Sequence, residues 1–355
     1  MSESIKPIVI ALTGLNAIDS PGPGVAVARA IRDGMDSPVR IIGLAYENLE
    51  PGIYMDGICD KTYQISYPAA GADVLYNVIK GIHEKENIDV IIPNFDAELH
   101  NFISIEARLK QLGINCFLPD FEMFDAREKL NLYAFGQKHN FLVPKDKVIY
   151  SVADLHLIGE EFGYPIVVKG KYYEAEVCYT LEQAQKSFYK ISAKWGLPII
   201  VQQFIKGSEI NIAALGDGNG NTTSIIPMKK LYITDKGKAW AGITLQDEAL
   251  IDIATKFVKA TKWRGGFELE IMQTANNELY IMEINPRFPA WIYLSAGAGQ
   301  NQPTSLVKMA LGEIIEPYTT YDVGKLFIRY AWDMIIDVEK YQQFTAFGVL
   351  ENKSK

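Results

Sequence analysis

Apolar positions in the first 118 residues come in short solid runs separated by longer amphipathic stretches. Residues 6–12 (KPIVIAL) are one such run, ending at Thr13-Gly14, and residues 39–44 (VRIIGL) and 90–93 (VIIP) are two more. Runs of this length without polar alternation predict strands buried on both faces, as in a parallel sheet. Helical periodicity is read over residues 22–31 and 74–84. A further helix is predicted near 104–112 and a strand near 114–118. Strand and helix in alternation predict a parallel α/β sheet covered on both faces.

The pattern changes after residue 120. A helix is predicted from Asp125 to about His139, another near 152–162, and a third over 181–194. Strands are predicted at 164–170, ending in Lys169-Gly170, and at 197–205. This is a small α+β lobe over about residues 120–203. Strands at 210–215 and 223–228 and a helix at 247–261 follow, then the two apolar arms of residues 267–287. A short helix at 305–311 and an apolar, strand-like run at 325–332 close the pattern.

Residues 267–287 read FELEIMQTANNELYIMEINPR. Asn276-Asn277 tolerates positive φ and predicts a two-residue hairpin turn. With the turn centred there, Glu270 faces Glu283 and Glu268 faces Asn285. Side chains alternate along a strand, so these four share one face, and Leu269, Ile271, Met282 and Ile284 take the other. Carboxylates directly opposite each other destabilise a hairpin. Their placement points to a cation between them, and an all-oxygen set with an amide suits Mg²⁺. Arg287 follows at once and offers a partner for an anion. The competing reading is a half-solvated hairpin with a polar outer face.

Composition narrows the choice of function. The chain has 355 residues, 48% hydrophobic and 22% charged, which is ordinary for a globular protein of two or three packed units. Its net charge is −8, and residues 1–118 hold nine basic against fifteen acidic side chains. No basic patch stands out, so nucleic acid is not an expected partner. No apolar run approaches the ~18 residues of a membrane span, and Met1-Ser2-Glu3-Ser4 opens no signal-peptide pattern. Cys59, Cys116 and Cys178 are odd in number and widely spaced, which fits buried thiols in a reducing, cytoplasmic setting. His83, His100, His139 and His156 have no metal-ligand spacing. The first loop, residues 14–24, is rich in glycine and proline but lacks the G-x-G-x-x-G spacing of dinucleotide sites.

With its E-x-N-P-R ending, the hairpin resembles the nucleotide site of the ATP-grasp superfamily. The branch it looks like is that of biotin carboxylase and the large subunit of carbamoyl-phosphate synthase. The resemblance implies an ATP-grasp fold, combining α/β and α+β parts, with an N-terminal Rossmann-like pre-grasp domain over 1–119. It implies a small lobe over 120–203 and a large lobe with a C-terminal extension over 204–355. Glu270, Glu283 and Asn285 would hold two Mg²⁺ ions, with Mn²⁺ able to substitute. Arg287 would hold phosphate or the activated carboxylate. Lys129 and Lys169 would contact the phosphates of ATP. Gln203, Phe204 and Ile205 would bind adenine at the hinge, and Glu209 the ribose. Of the pair Lys229-Lys230, one would face the γ-phosphate, Lys229 by preference.

Residues 169–178 depart from the glycine-rich flap of such enzymes, with one glycine and two tyrosines. Trp291 and Tyr293 fit either the core or the wall of an acceptor pocket. The implied activity is ligation of a carboxylate to an amine or related nucleophile through an acylphosphate, ATP giving ADP and phosphate. The implied substrates are small amino-acid-like molecules or peptides, with no membrane partner, and a homodimer is compatible with the pattern. The alternative is an ATP-binding regulatory protein without turnover.

Overall fold

The computed structural model describes residues 6–17, 21–128, 131–171, 174–235 and 237–352. The chain forms two compact units. One comprises Met1–Met123, Asn211–Glu268 and Asn285–Lys355, the other Phe124–Ile210 and Leu269–Ile284.

The first unit opens with β1 (Ile8–Leu12), α1 (Pro23–Gly34), β2 (Val39–Ala45), β3 (Lys61–Gln64), α2 (Ala72–Glu86), β4 (Val90–Ile92) and α3 (Asp96–Gln111). Strands β1 to β4 are parallel, as the solid apolar runs predict, and α1 begins where β1 ends. That junction needs glycine. A Cβ on Gly24 would come within 2.0 Å of the Thr13 carbonyl, so the α1 N-terminus can press against the strand end only without a side chain.

The strand predicted at 114–118 is reduced to one bridge, Val90 to Asn115. The Cys116 and Leu118 carbonyls are taken instead by the guanidinium of Arg264 at 2.9 and 3.1 Å, which leaves them no ladder to join. Helix α3 starts at Asp96, a full two turns before the predicted start near 104.

The second unit holds α4 (Phe121–Ala126, whose first residues belong to the first unit), α5 (Leu132–His139), β5 (Asp146–Ile149), α6 (Asp154–Phe162), β6 (Ile166–Gly170), β7 (Ala175–Cys178), α7 (Leu181–Trp195) and β8 (Ile199–Gln203). Its sheet runs β5-β8-β6-β7 and is antiparallel throughout. Ile166, Val168, Ile199 and Val201 pack on Leu155, Ile158, Phe188 and Ile191 of α6 and α7, so one sheet face is core. The other face carries Val167, Lys169 and Gln202.

The chain then builds β9 (Ser208–Asp217), β10 (Thr222–Ile233), β11 (Ala239–Thr244), α8 (Glu248–Thr261), β12 (Arg264–Gln273), β13 (Leu279–Asn285), α9 (Tyr293–Gly297), α10 (Gln302–Ala310), β14 (Leu326–Ile328), α11 (Val338–Phe347) and β15 (Val349–Glu351). Six strands form a sheet of order β13-β12-β9-β10-β11-β14. β15 leaves that region and pairs antiparallel with β3, closing the edge of the first sheet. Within the first unit, residues of β1, α1, β9, β10 and α10 contribute to one continuous core. The strand predicted at 325–332 is assigned only over Leu326–Ile328.

The turn between β12 and β13 is not the predicted two-residue loop. Asn277 N–H donates to the Thr274 carbonyl and Thr274 N–H to the Glu278 carbonyl, at 2.9 and 3.0 Å, and of the two asparagines only Asn277 has positive φ, at 62°. Three residues therefore cross the turn, and Thr274 rather than Ala275 lies opposite Glu278. Yet Asn285 bonds Glu268, the pairing expected from the other register.

Candidate active site

Three neighbouring strands bring the polar residues of the first unit together. β9 carries Asn211, β12 Glu268, and β13 ends in Asn285. Glu268 is only 5% exposed, and a carboxylate at that depth needs partners. Asn211 Nδ2 and Trp291 Nε1 donate to Oε1 at 2.9 and 2.8 Å, and Asn285 Nδ2 donates to Oε2 at 3.1 Å. Arg287 Nη1 lies 4.0 Å from the same oxygen. The guanidinium is itself forked: Nε and Nη2 reach Asp96 Oδ2 at 3.1 and 3.0 Å, and Nη1 donates to the Phe288 carbonyl at 3.2 Å.

This arrangement fixes Asn285. Its amide nitrogen is committed to Glu268, and its Oδ1 accepts from Arg287 Nη2 at 3.4 Å. Glu283 and Glu270 sit two residues from Asn285 and Glu268 on their strands, and both are half-buried. Among the described residues no group of three or more His, Cys, Asp or Glu side chains is gathered as a metal site. The expected set has only two carboxylates, with an amide oxygen as the third ligand. A hard oxygen set with an oriented amide fits Mg²⁺ in chemistry.

Strand alternation decides between the two lysines of β10. Ala213, Leu215, Ile226, Met228 and Trp291 share one core, and Asn211 lies on the face of Ala213. β10 pairs with β11 in regular register from Met228 to Lys230, so Lys230 shares the face of Met228 and Asn211. Lys229 takes the opposite face and is exposed.

A second polar cluster sits where the parallel strands end. Glu98, in the first turn of α3, is 1% exposed. It accepts from the Thr13 and Tyr46 hydroxyls and from the Asn94 and Phe95 backbone N–H groups. Burial pushes its carboxyl up to about 7, against the pull of those four bonds. Burial likewise raises the neighbouring Glu50 carboxyl.

In the second unit, Lys169 is half-buried on the sheet face opposite α6 and α7, and its charge opposes the burial that lifts the Asp146 carboxyl to about 6. Gln202 lies opposite Asp146 on one side and Val167 on the other, is 4% exposed, and its Oε1 has no hydrogen-bond partner. Gln203 N–H donates to the Lys145 carbonyl at 2.8 Å and so serves the sheet. Phe204 and Ile205 lie in the coil after β8, and Glu209 is half-buried near the start of β9. The expected flap is the β6–β7 hairpin: Lys169 faces Ala175, and Gly170 N–H donates to the Glu174 carbonyl at 3.0 Å. Lys129 lies outside the described residues.

Sequence reasoning missed three residues. Glu268 was placed on the polar face opposite Asn285 without a role, and only its partners from residues 211 and 291 reveal its orienting place. Gln202 was legible from alternation alone, since it shares the parity that sets it apart from the apolar Ile199 and Val201. Glu98 left its signal in the spacing Asp96-x-Glu98 at a helix start.

The chain has the ATP-grasp fold. Residues 197–330 match the family described as "ATP-grasp in the biosynthetic pathway with Ter operon". The carbamoyl phosphate synthase large chain of Clostridium botulinum (strain Kyoto / Type A2) is 27% identical over 255 residues, covering 65% of this chain and 22% of that protein. The chain thus spans about a fifth of the length of the curated relatives it matches. Biotin carboxylase from Campylobacter jejuni, solved with β,γ-ATP, superposes with a TM-score of 0.70 at 16% identity, over 90% of this chain and 74% of that one. The biotin carboxylase domain of Hydrogenobacter thermophilus 2-oxoglutarate carboxylase, solved with MgADP and bicarbonate, gives 0.68 at 16% identity, over 91% and 74%. Among the described residues, no helix is long and apolar enough to cross a membrane.

Proposed function

We propose that this protein is an ADP-forming ligase that joins a carboxylate to an amine through an acylphosphate. One observation carries the reading: Glu268 and Arg287 hold the two ends of the Asn285 amide, at the base of a strand that also carries Glu283. A structural hairpin has no need of such an arrangement, whereas a site for cations and phosphate oxygens does. Glu270, Glu283 and Asn285 would hold Mg²⁺, which would supply charge neutralisation to the phosphates.

Lys169 and Gln202 meet the nucleotide from the sheet face opposite α6 and α7, with Phe204, Ile205 and Glu209 following on the same chain. The unpartnered Gln202 oxygen suits an exocyclic amine or hydroxyl donor. Arg287 holds the carboxylate in place while its oxygen attacks the γ-phosphorus and ADP leaves. Lys230, on the face of Asn211, balances charge that builds on the transferring oxygens. The amine then attacks the acyl carbon, phosphate leaves, and the amine proton passes to solvent. No covalent enzyme intermediate is required, because positioning and electrostatics suffice. The family description points to biosynthesis, and amino-acid-like or peptide carboxylates are the substrates we expect.

The test is a screen of carboxylates with MgATP and hydroxylamine in place of the natural amine. Hydroxamate with stoichiometric ADP and phosphate is expected for the true carboxylate. Glu283→Gln should lower turnover about a hundredfold or more while the melting temperature holds, because a ligand to the ions is lost. AMP and pyrophosphate as products would overturn the mechanism. Tight MgATP binding without turnover on any carboxylate would mark a regulatory protein instead.

A further inference from the structure

β14 is the outer strand of the six-stranded sheet, bonded on one side to β11. Its other side is an edge, flanked by Lys325 and Arg329 but apolar between and beyond them. Leu326, Ile328, Tyr330 and Trp332 alternate along one face, with Ile328 65%, Tyr330 76% and Trp332 86% exposed. The Tyr330 and Trp332 rings touch only each other in this stripe, at 5.5 Å between centroids. Native proteins blunt exposed edges with charge, proline or a bulge, and rarely leave an apolar stripe of this size in water.

Residues 325–337 read KLFIRYAWDMIID. Set antiparallel to a second copy with the two-fold axis at Ala331, opposite charges and apolar residues face one another, although Ile336 packs on the core of its own copy and has to leave it to pair. Arg329 stands opposite Asp333 of the other copy, and Lys325 opposite Asp337. Tyr330 faces Trp332, Ile328 faces Met334, Phe327 faces Ile335, and Leu326 faces Ile336. Opposed residues share a face in an antiparallel pair, so the aromatic pairs gather on the exposed side. The pattern is antisymmetric in charge, basic before Ala331 and acidic after it. A two-fold interface demands that self-complementarity, since each residue contacts its partner twice over. A foreign strand would not.

We infer that residues 325–337 pair with the same segment of a second copy of this chain, joining the two six-stranded sheets edge to edge into a homodimer. Arg329 N–H already bonds the Trp240 carbonyl at 2.9 Å, which keeps the strand direction past Ile328 and prepares the rest of the segment to extend. Burial lowers the Arg329 guanidinium to about 10, and an opposing carboxylate from the second copy offsets that cost.

Sedimentation velocity on the full chain tests this. The wild type should be dimeric at micromolar concentration. Asp333→Arg sets arginine against Arg329 at two places and should weaken the dimer about a hundredfold. Asp333 is exposed, so this variant should keep its far-ultraviolet dichroism and melting temperature. Arg329→Asp should weaken the dimer similarly. The double variant Arg329→Asp/Asp333→Arg should restore it, and so should an equal mixture of the two single variants. Trp332→Ser, also at an exposed site, gives an independent loss. A monomeric wild type, a dimer indifferent to Asp333→Arg and Trp332→Ser, or failure of two folded single variants to associate on mixing would each overturn the proposal. None of these outcomes depends on ligase activity.

Discussion

Two buried glutamates in the first unit solve the same problem differently. Glu98 and Glu268 are 1% and 5% exposed, and each accepts at least three hydrogen bonds. The donors to Glu98 are hydroxyls and backbone amides, all neutral. Glu268 has neutral donors too, but the Arg287 guanidinium stands 4.0 Å away and is itself braced by Asp96. The first cluster leaves its carboxyl pushed up to about 7, free to change charge near neutrality. The second sets Glu268 beside the Arg287 guanidinium and holds both ends of the Asn285 amide. Hydrogen-bond number is therefore a poor guide to what a buried carboxylate does; the charge of its neighbours and what those neighbours hold matter as much.

The largest expected effect is on the second cluster. Glu268→Ala strips the acceptor from Asn211, Asn285 and Trp291 and leaves Arg287 short of an anion. Removing one partner of a buried charged set costs about 3–5 kcal/mol, to be read from urea unfolding. A loss below about 1 kcal/mol would show that the donors repartner with water.

Next comes pH. The Glu98 carboxyl is raised in the folded state from the ordinary 4.5 to about 7. Its contribution is thus fully present below about 4.5 and is lost as pH rises through about 7, the reverse of a salt-bridged acid. Wild type minus Glu98→Gln should show stability falling by about 3 kcal/mol over that window. A flat difference curve would mean that the four donors hold the anion after all.

Arg287→Ala should remove the cation that distinguishes the second cluster from the first. The variant is expected to lose about 2 kcal/mol in urea unfolding, because Asp96 and Glu268 both lose a charged neighbour. No measurable loss would break the comparison. The smallest effect is Trp291→Phe, which deletes one of three neutral donors to Glu268 and should cost about 1 kcal/mol in the same assay.

What the sequence showed follows from what strand and helix periods encode. The solid runs at β1, β2 and β4, the Lys169 strand, and the glutamate-bearing arms at 267–287 were all readable, because burial and alternation are local signals. β3 was not, since Lys61-Thr62-Tyr63-Gln64 carries no apolar run; it is a strand because β2 and β15 flank it. Residues 114–118 have strand-like composition, but Arg264, about 150 residues later, claims their carbonyls. The hairpin was correct in kind and off by one at its turn, since Asn276-Asn277 permits two turn lengths. Lys230 and Gln202 displaced Lys229 and Gln203 as the residues we favour only once neighbouring strands supplied a frame for parity. The sequence could say that a polar face existed, but which carboxylate would orient and which would bind depended on Asn211 and Trp291.

The return of β15 to the first sheet has a consequence for the newborn chain. Val349 pairs with Tyr63, about 285 residues earlier. At ~5–20 residues added per second, the ribosome needs roughly 15–60 s to deliver that strand after β3 has emerged. Throughout that interval the rim of the nascent N-terminal sheet is open on its β3 side. The capping step waits for residues 349–351, so the sheet is begun long before it is sealed.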